Sequence, residues 1–313
     1  MSIASASPSP DIRLGYVYTI LAALLWAVSG SSAKFLFNSG ISPFQVVQLR
    51  ITIAAGIMLL WLLIRHPSRL KIAKKDILYF LILGTAGMAA IQFTYLFAIS
   101  KINVAAAILL QYLGPSFIAL YMVVFAHEKL SRTTMLAIAG ATIGCYLLVG
   151  AYNLNVLSMN RAGIISGVLS AISFACYSLM GEYGMRRYNP WTVLFFAMFV
   201  GALTWNIFRP PLEAFTHSYS LVQWGWILYI GILGTLLPFG LFLEGVNLIR
   251  SARASITATL EPITAGIISY FFLDEVMEPL QLGGGVLVIA SVVLLQVRQE
   301  YDDKAPAFIR SQN

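Results

Sequence analysis

Charge is what this sequence has least of. Only 11% of its 313 residues are Asp, Glu, Lys or Arg, while 59% are hydrophobic. Soluble domains carry about a quarter charged residues, so an ordinary soluble protein is excluded. Cysteine is limited to Cys145 and Cys176, both inside apolar runs, which excludes a disulfide framework. His66, His127 and His217 are isolated at or near segment ends, so neither a metal site nor another cofactor is expected. The opening MSIASASPSP lacks the basic region of a secretory signal, and residues 1–13 read as a disordered tail. A net charge of +7 could point to nucleic acid. The basic residues, however, sit between apolar runs, as they do beside a bilayer, and no nucleic-acid partner is expected.

What is present is apolar length. A helix needs about 20 apolar residues to cross ~30 Å of hydrocarbon. Ten such spans are predicted, at 14–36, 43–65, 77–99, 103–125, 132–150, 162–184, 190–209, 223–247, 253–272 and 279–298. The fold class expected is an all-α membrane protein. With the amino terminus inside, the cytoplasmic segments hold fifteen Lys and Arg, among them Arg65, Arg69, Lys71, Lys74 and Lys75. The opposite side holds four: Lys34, Lys101, Arg161 and Arg209. That bias predicts both termini in the cytoplasm.

The chain is also duplicated. Residues 107–128, AILLQYLGPSFIALYMVVFAHE, return in altered form at 254–275, ASITATLEPITAGIISYFFLDE. The prolines 115 and 262 and the glutamates 128 and 275 share an offset of 147. Residues 15–34 align with 163–182, Leu83-Gly84-Thr85 with Leu233-Gly234-Thr235, and Ser42-Pro43 with Asn189-Pro190. The organisation expected is therefore a first repeat at 14–150, a linker at 151–161, a second repeat at 162–298 and a cytoplasmic tail at 299–313. Five helices per repeat is an odd number, so the second copy inserts upside down. Inverted repeats of this kind are an architecture of secondary transporters.

The runs FAHEKLSRTTMLAIAGATIGCYLLVG and FFLDEVMEPLQLGGGVLVIASVVLLQ resemble the end of the EamA repeat, where a helix, an acid, a short loop and a glycine-rich helix follow one another. Residues 14–298 as a whole resemble a two-EamA-repeat member of the drug/metabolite transporter superfamily, with the greatest likeness to YddG-type exporters of aromatic and other amino acids. The resemblance implies ten helices around a central cavity, the fifth and tenth packed together, and efflux from the cytoplasm across a bacterial inner membrane. It also assigns Arg50, in an arginine position common to the superfamily, to structure more than to selectivity.

Candidate substrate contacts come from comparing helix centres. Trp26 lies mid-span in the first helix, on a face with Ser29-Gly30 and Ala33. Met88, Gln92 and Tyr95 follow i, i+4, i+7 in the third. The fourth span adds Gln111 and Tyr112, the sixth Tyr177, and the ninth Thr257 and Glu261. Pro115, Pro238 and Pro262 read either as hinges or as packing kinks. Each lacks an N–H, leaving the carbonyls of Gln111, Gly234 and Ala258 in need of partners. The aromatics read equally as helix packing, and the glutamines as interhelical glue. Glu261 is the sharpest feature, because a carboxylate at mid-membrane costs ~2.5–3.5 kcal/mol on insertion scales and should face a polar interior. Locking to a neighbouring hydroxyl, or protonation, is its alternative reading. Glu182, Glu244 and Lys34 are expected near the interfaces.

Relative to the resembled superfamily, span 1 lacks the central acid that small multidrug-resistance transporters use for proton exchange. No central Lys/Arg pair invites a phosphorylated substrate. The remaining lining of aromatics, amides, methionine and one acid suits a small neutral amino acid, aromatic or methionine. The function expected is alternating-access amino-acid export by a non-enzyme, monomeric because its fused halves already supply each other's partner. Another small metabolite, a channel, or a membrane-embedded enzyme are the competing readings. The last would need a cluster of His, Asp, Glu or Cys at one depth.

Overall fold

The computed structural model describes residues 12–102, 104–148, 151–153, 160–265, 267, 278–297 and 304–312. The expected acidic end of the ninth span, Asp274-Glu275, and most of the linker lie outside them. The described chain is helical, with no strand. The long helices are α1 (Ile12–Asn38), α2 (Pro43–Arg65), α8 (Arg161–Met185), α9 (Pro190–Phe208) and α11 (Leu237–Ala258). The others are shorter pieces: α3 (Ile77–Ile82), α4 (Ala90–Lys101), α5 (Val104–Gln111), α6 (Gly114–Val124), α7 (Arg132–Leu148) and α10 (Leu221–Gly231). After residues 261–265, which are again helical, come α12 (Pro279–Val297) and α13 (Pro306–Gln312).

Among the described residues, seven helical stretches are long and apolar enough to cross a membrane, and α7 and α12 are shorter apolar helices. One of the seven, Leu221–Ala265, runs over 45 residues but is broken at Arg250, whose φ of 66° and ψ of 164° are not helical. Leu60, Ile64, Ile207, Phe208 and Leu221 stand exposed on the outside. Lipid tails would cover such side chains.

Local chemistry sets the helix starts. Ser42 accepts from the Gln45 amide while the Gln45 side chain accepts from the Ser42 amide, with Pro43 at the first turn. Asn189 caps α9 ahead of Pro190 by accepting from the Trp191 amide. Both repeats thus open their second long helix in the same way.

The two halves pack reciprocally. α1 of the first lies along α11 of the second, and α8 of the second lies along α4 of the first. The wide-turn π segment Leu83–Ala89 seats on α9, and its counterpart Ile232–Leu236 seats on α2. α7 and α12 pair closely, where a Cβ on Gly284 would fall 2.6 Å from the Gly144 carbonyl and 2.5 Å from the Leu148 amide. Backbone that close tolerates only glycine.

Candidate functional site

Helix breaks meet at the centre. α5 stops at Gln111 and α6 begins at Gly114, with Pro115 in its first turn. In the second half α11 stops at Ala258 and helix resumes at Glu261, followed by Pro262. Pro238 lies in the first turn of α11, directly after the π segment. All three prolines therefore stand at irregular backbone, and two of the carbonyls they leave have found side-chain donors. The Tyr112 hydroxyl lies 2.8 Å from the Ala258 carbonyl, and Arg50 Nη2 donates to Gly234 O at 3.3 Å.

Between these breaks is a buried pocket with about 30 Å³ of open space. That is room for one or two waters, since one needs ~10–15 Å³ on this measure. Gln92, Gln111, Tyr112 and Glu261 give it a polar side, and Trp26, Phe174 and Phe239 an aromatic one. Arg50, Ser29, Ile91 and Tyr95 also line it. Arg50 Nε donates to Thr235 Oγ1 at 2.7 Å, which in turn donates to Ile230 O. Among the described residues the Arg50 guanidinium has no carboxylate within ion-pair distance. The Tyr95 hydroxyl is buried there with no hydrogen-bond partner among the described residues. Gly234 also lets α1 approach closely, because a Cβ at that position would sit 2.7 Å from Ser29 Oγ.

Of the residues expected from sequence, the structure brings Trp26, Gln92, Gln111, Tyr112 and Glu261 onto this pocket. Trp26 lines the pocket, and its ring also packs on Phe239 at 5.0 Å and Phe242 at 5.6 Å. Three others do not line the pocket. Met88 is buried and accepts from Gln92 Nε2 at 3.3 Å. Thr257 is buried and donates to Arg253 O at 2.9 Å. Tyr177 is buried against Phe239, its hydroxyl unpartnered among the described residues. Met88 keeps the face it shares with Gln92, one turn away, but packs at Gly201 of α9, while Ile91, Gln92 and Tyr95 line the pocket. Arg50 was assigned to structure by resemblance, and the structure puts it in the pocket wall. The cue available in the sequence was a lone arginine in an apolar span.

Comparison with known proteins identifies the architecture. The profile of the EamA-like transporter family matches residues 13–150 and again 161–297. The chain belongs to the EamA-like transporter family. It is a multi-pass membrane transporter by that membership and by its apolar helices. Over 293 residues it is 28% identical to the uncharacterized inner membrane transporter YicL of Salmonella typhimurium, covering 91% of this chain and 96% of that protein. An uncharacterized transporter of Archaeoglobus fulgidus is 27% identical, over 90% of this chain and 96% of its own length. The pseudopaline exporter CntI of Pseudomonas aeruginosa is 24% identical, over 91% and 96%. A solved crystal structure superposes with a TM-score of 0.72 over 92% of this chain and 99% of its own. At 17% identity that is a likeness of fold.

This EamA chain carries a second polar cluster away from the pocket. Arg250 Nε pairs with Glu182 Oε1 at 2.8 Å, and its Nη1 with Glu128 Oε2 at 2.9 Å. The Ser251 amide and hydroxyl donate to Glu182 Oε2 at 2.8 and 2.5 Å. Lys304 lies 3.6 Å from Glu128. Glu182, expected near an interface, stands in the last turn of α8 and is 3% exposed there, held by the Arg250 turn. Lys34 instead donates to Ile99 O at 2.9 Å, a cation closing the end of α4. α13 docks on the same end of the molecule, with Arg310 donating to Met185 O, to Tyr188 O at 3.1 Å and to Asn247 Oδ1 at 2.7 Å.

Proposed function

We propose that this EamA protein exports small neutral amino acids across the bacterial inner membrane by alternating access. One observation carries the reading: Arg50, a cation with no carboxylate partner among the described residues, shares a buried pocket with a carboxylate, Glu261. A free amino acid presents the complementary pair, with its carboxylate for the guanidinium and its ammonium for Glu261. Trp26, Phe174 and Phe239 offer ring faces to an aromatic or thioether side chain. Gln92 and Gln111 supply amide hydrogen bonds.

The surrounding architecture is read as ten spans in two inverted repeats, with the break at Arg250 dividing the 45-residue stretch into two crossings. Both termini then face the cytoplasm. The substrate site falls at the repeat interface, as inverted-repeat carriers place it. A pocket of about 30 Å³ is the occluded form. An amino acid enters when the halves rock apart at Pro115, Pro238 and Pro262. The outward direction is supported by the relative named as an exporter. A monomer suffices, since α7 and α12 already pack on each other.

Accelerated exchange in proteoliposomes tests the reading. Vesicles loaded with phenylalanine or methionine should take up the same labelled amino acid faster than empty ones, with saturation. Wild-type exchange by the Glu261→Gln/Gln111→Ala double variant, at wild-type abundance across an amino-acid panel, would sink it.

A further inference from the structure

The hydroxyl of Tyr112 has one proton and two acceptors. It lies 2.7 Å from Glu261 Oε2 and 2.8 Å from the Ala258 carbonyl. That carbonyl lacks its usual helical donor because residue 262, four positions on, is proline. The trio therefore has two complete arrangements. With Glu261 protonated, the carboxyl donates to Tyr112 Oη and the tyrosine donates to Ala258 O, so every group is satisfied. With Glu261 ionised, the tyrosine proton turns to Oε2, and the Ala258 carbonyl is released to a donor in the pocket.

A substrate ammonium fits only the second arrangement. It pairs with the ionised carboxylate and donates to the freed carbonyl, whereas the neutral carboxyl offers it no charge. Ammonium and proton thus compete for one carboxylate. The other charged or titratable groups nearby are Arg50 on α2 and Tyr95 on α4, which line the pocket, and Cys145 on α7, which packs in an apolar cluster with Tyr112. Arg50 is held on its far side by Thr235 and Gly234. Tyr112 is the group in hydrogen-bond contact with Glu261.

We propose that the protein is a proton antiporter, in which Glu261 carries one proton inward for each amino acid carried outward, and Tyr112 reports the exchange to the helix break at Ala258. This rests on the pocket being the substrate site. The proton leaves Glu261 to water on the side where substrate binds, and is regained from water on the side where substrate departs. Because the substrate is net neutral, each cycle moves one positive charge inward.

The test uses the full chain in proteoliposomes, with membrane potential clamped by potassium and valinomycin. With the lumen one pH unit more acidic than the bath, labelled phenylalanine should accumulate about tenfold, the ratio at which a one-for-one exchange balances. A lumenal pH dye should show matching alkalinisation. Glu261→Gln should abolish both signals, and Glu261→Asp, an acid one methylene shorter, should retain them at a lower rate. Tyr112→Phe should lower the number of protons moved per phenylalanine, a ratio that loss of folded protein does not change. Wild-type exchange at symmetric pH without gradient-driven accumulation would overturn the coupling while leaving the carrier reading intact. Gradient-driven accumulation by Glu261→Gln would overturn it as well. No exchange of any amino acid in the panel would remove both readings.

Discussion

Arg250 reaches Glu182 at 2.8 Å from a backbone conformation that glycine, not arginine, normally adopts. The side chains of both are nearly sealed from solvent. The φ of 66° costs ~1–3 kcal/mol by itself, so the ion pairs to Glu182 and Glu128 must hold the turn in place.

Glu182→Gln should therefore destabilise the protein by about 3–5 kcal/mol, the usual effect of removing one member of a buried pair. Thermal unfolding in detergent, followed by light scattering or intrinsic fluorescence, measures it. A midpoint within a degree of wild type would show that the pair contributes nothing net.

The α7–α12 seam gives a controlled comparison within one glycine run. Gly284→Ala drives a Cβ into the backbone of α7, whereas Gly283 has open space around it. The first should cost about 1–3 kcal/mol as an overpacked contact, and the second much less. Equal melting temperatures for the two variants would contradict the close approach.

Arg50 separates charge from shape. Arg50→Lys keeps the charge but loses the fork that holds Thr235 and Gly234 together. Its half-saturation concentration for phenylalanine exchange should rise roughly tenfold, about 1.4 kcal/mol. Arg50→Gln should rise further, and Trp26→Ala should weaken aromatic substrates more than small ones. Unchanged saturation in Arg50→Gln would remove the guanidinium from substrate binding.

Topology has a direct check. A cysteine at position 72, in the loop holding Lys71 and Lys74, should react with an impermeant thiol reagent only from the cytoplasmic side. One at position 210 should react from outside. Labelling of position 72 in intact cells would invert the arrangement.

Much of this was legible in the sequence because apolar length, proline and repeat spacing act locally. Pro115 and Pro262 announce their helix breaks, since each removes a donor wherever the helix sits. Deep polar side chains such as Gln92, Gln111 and Glu261 read inward because lipid would not solvate them. Rotation about a helix axis was less legible. The i, i+4, i+7 series from Met88 does share a face, but only Gln92 and Tyr95 reach the pocket, because Met88 lies a turn away against Gly201 of the second half. Tyr177 stands three residues from Phe174, the ring that does reach the pocket. Arg50 could not be placed from its own helix alone, because its partners Thr235 and Gly234 lie in the other half.

The pocket's two charges come from different halves, and neither is duplicated. Counting from the paired prolines 43 and 190, Arg50 corresponds to Ala197, and counting from 115 and 262, Glu261 corresponds to Gly114. A homodimer of the first half alone would confront two guanidiniums across its axis, and a homodimer of the second would confront two carboxylates. Only the joined pair yields a dipole. Neither half alone could build the pair, so the site exists only where the two meet in one chain.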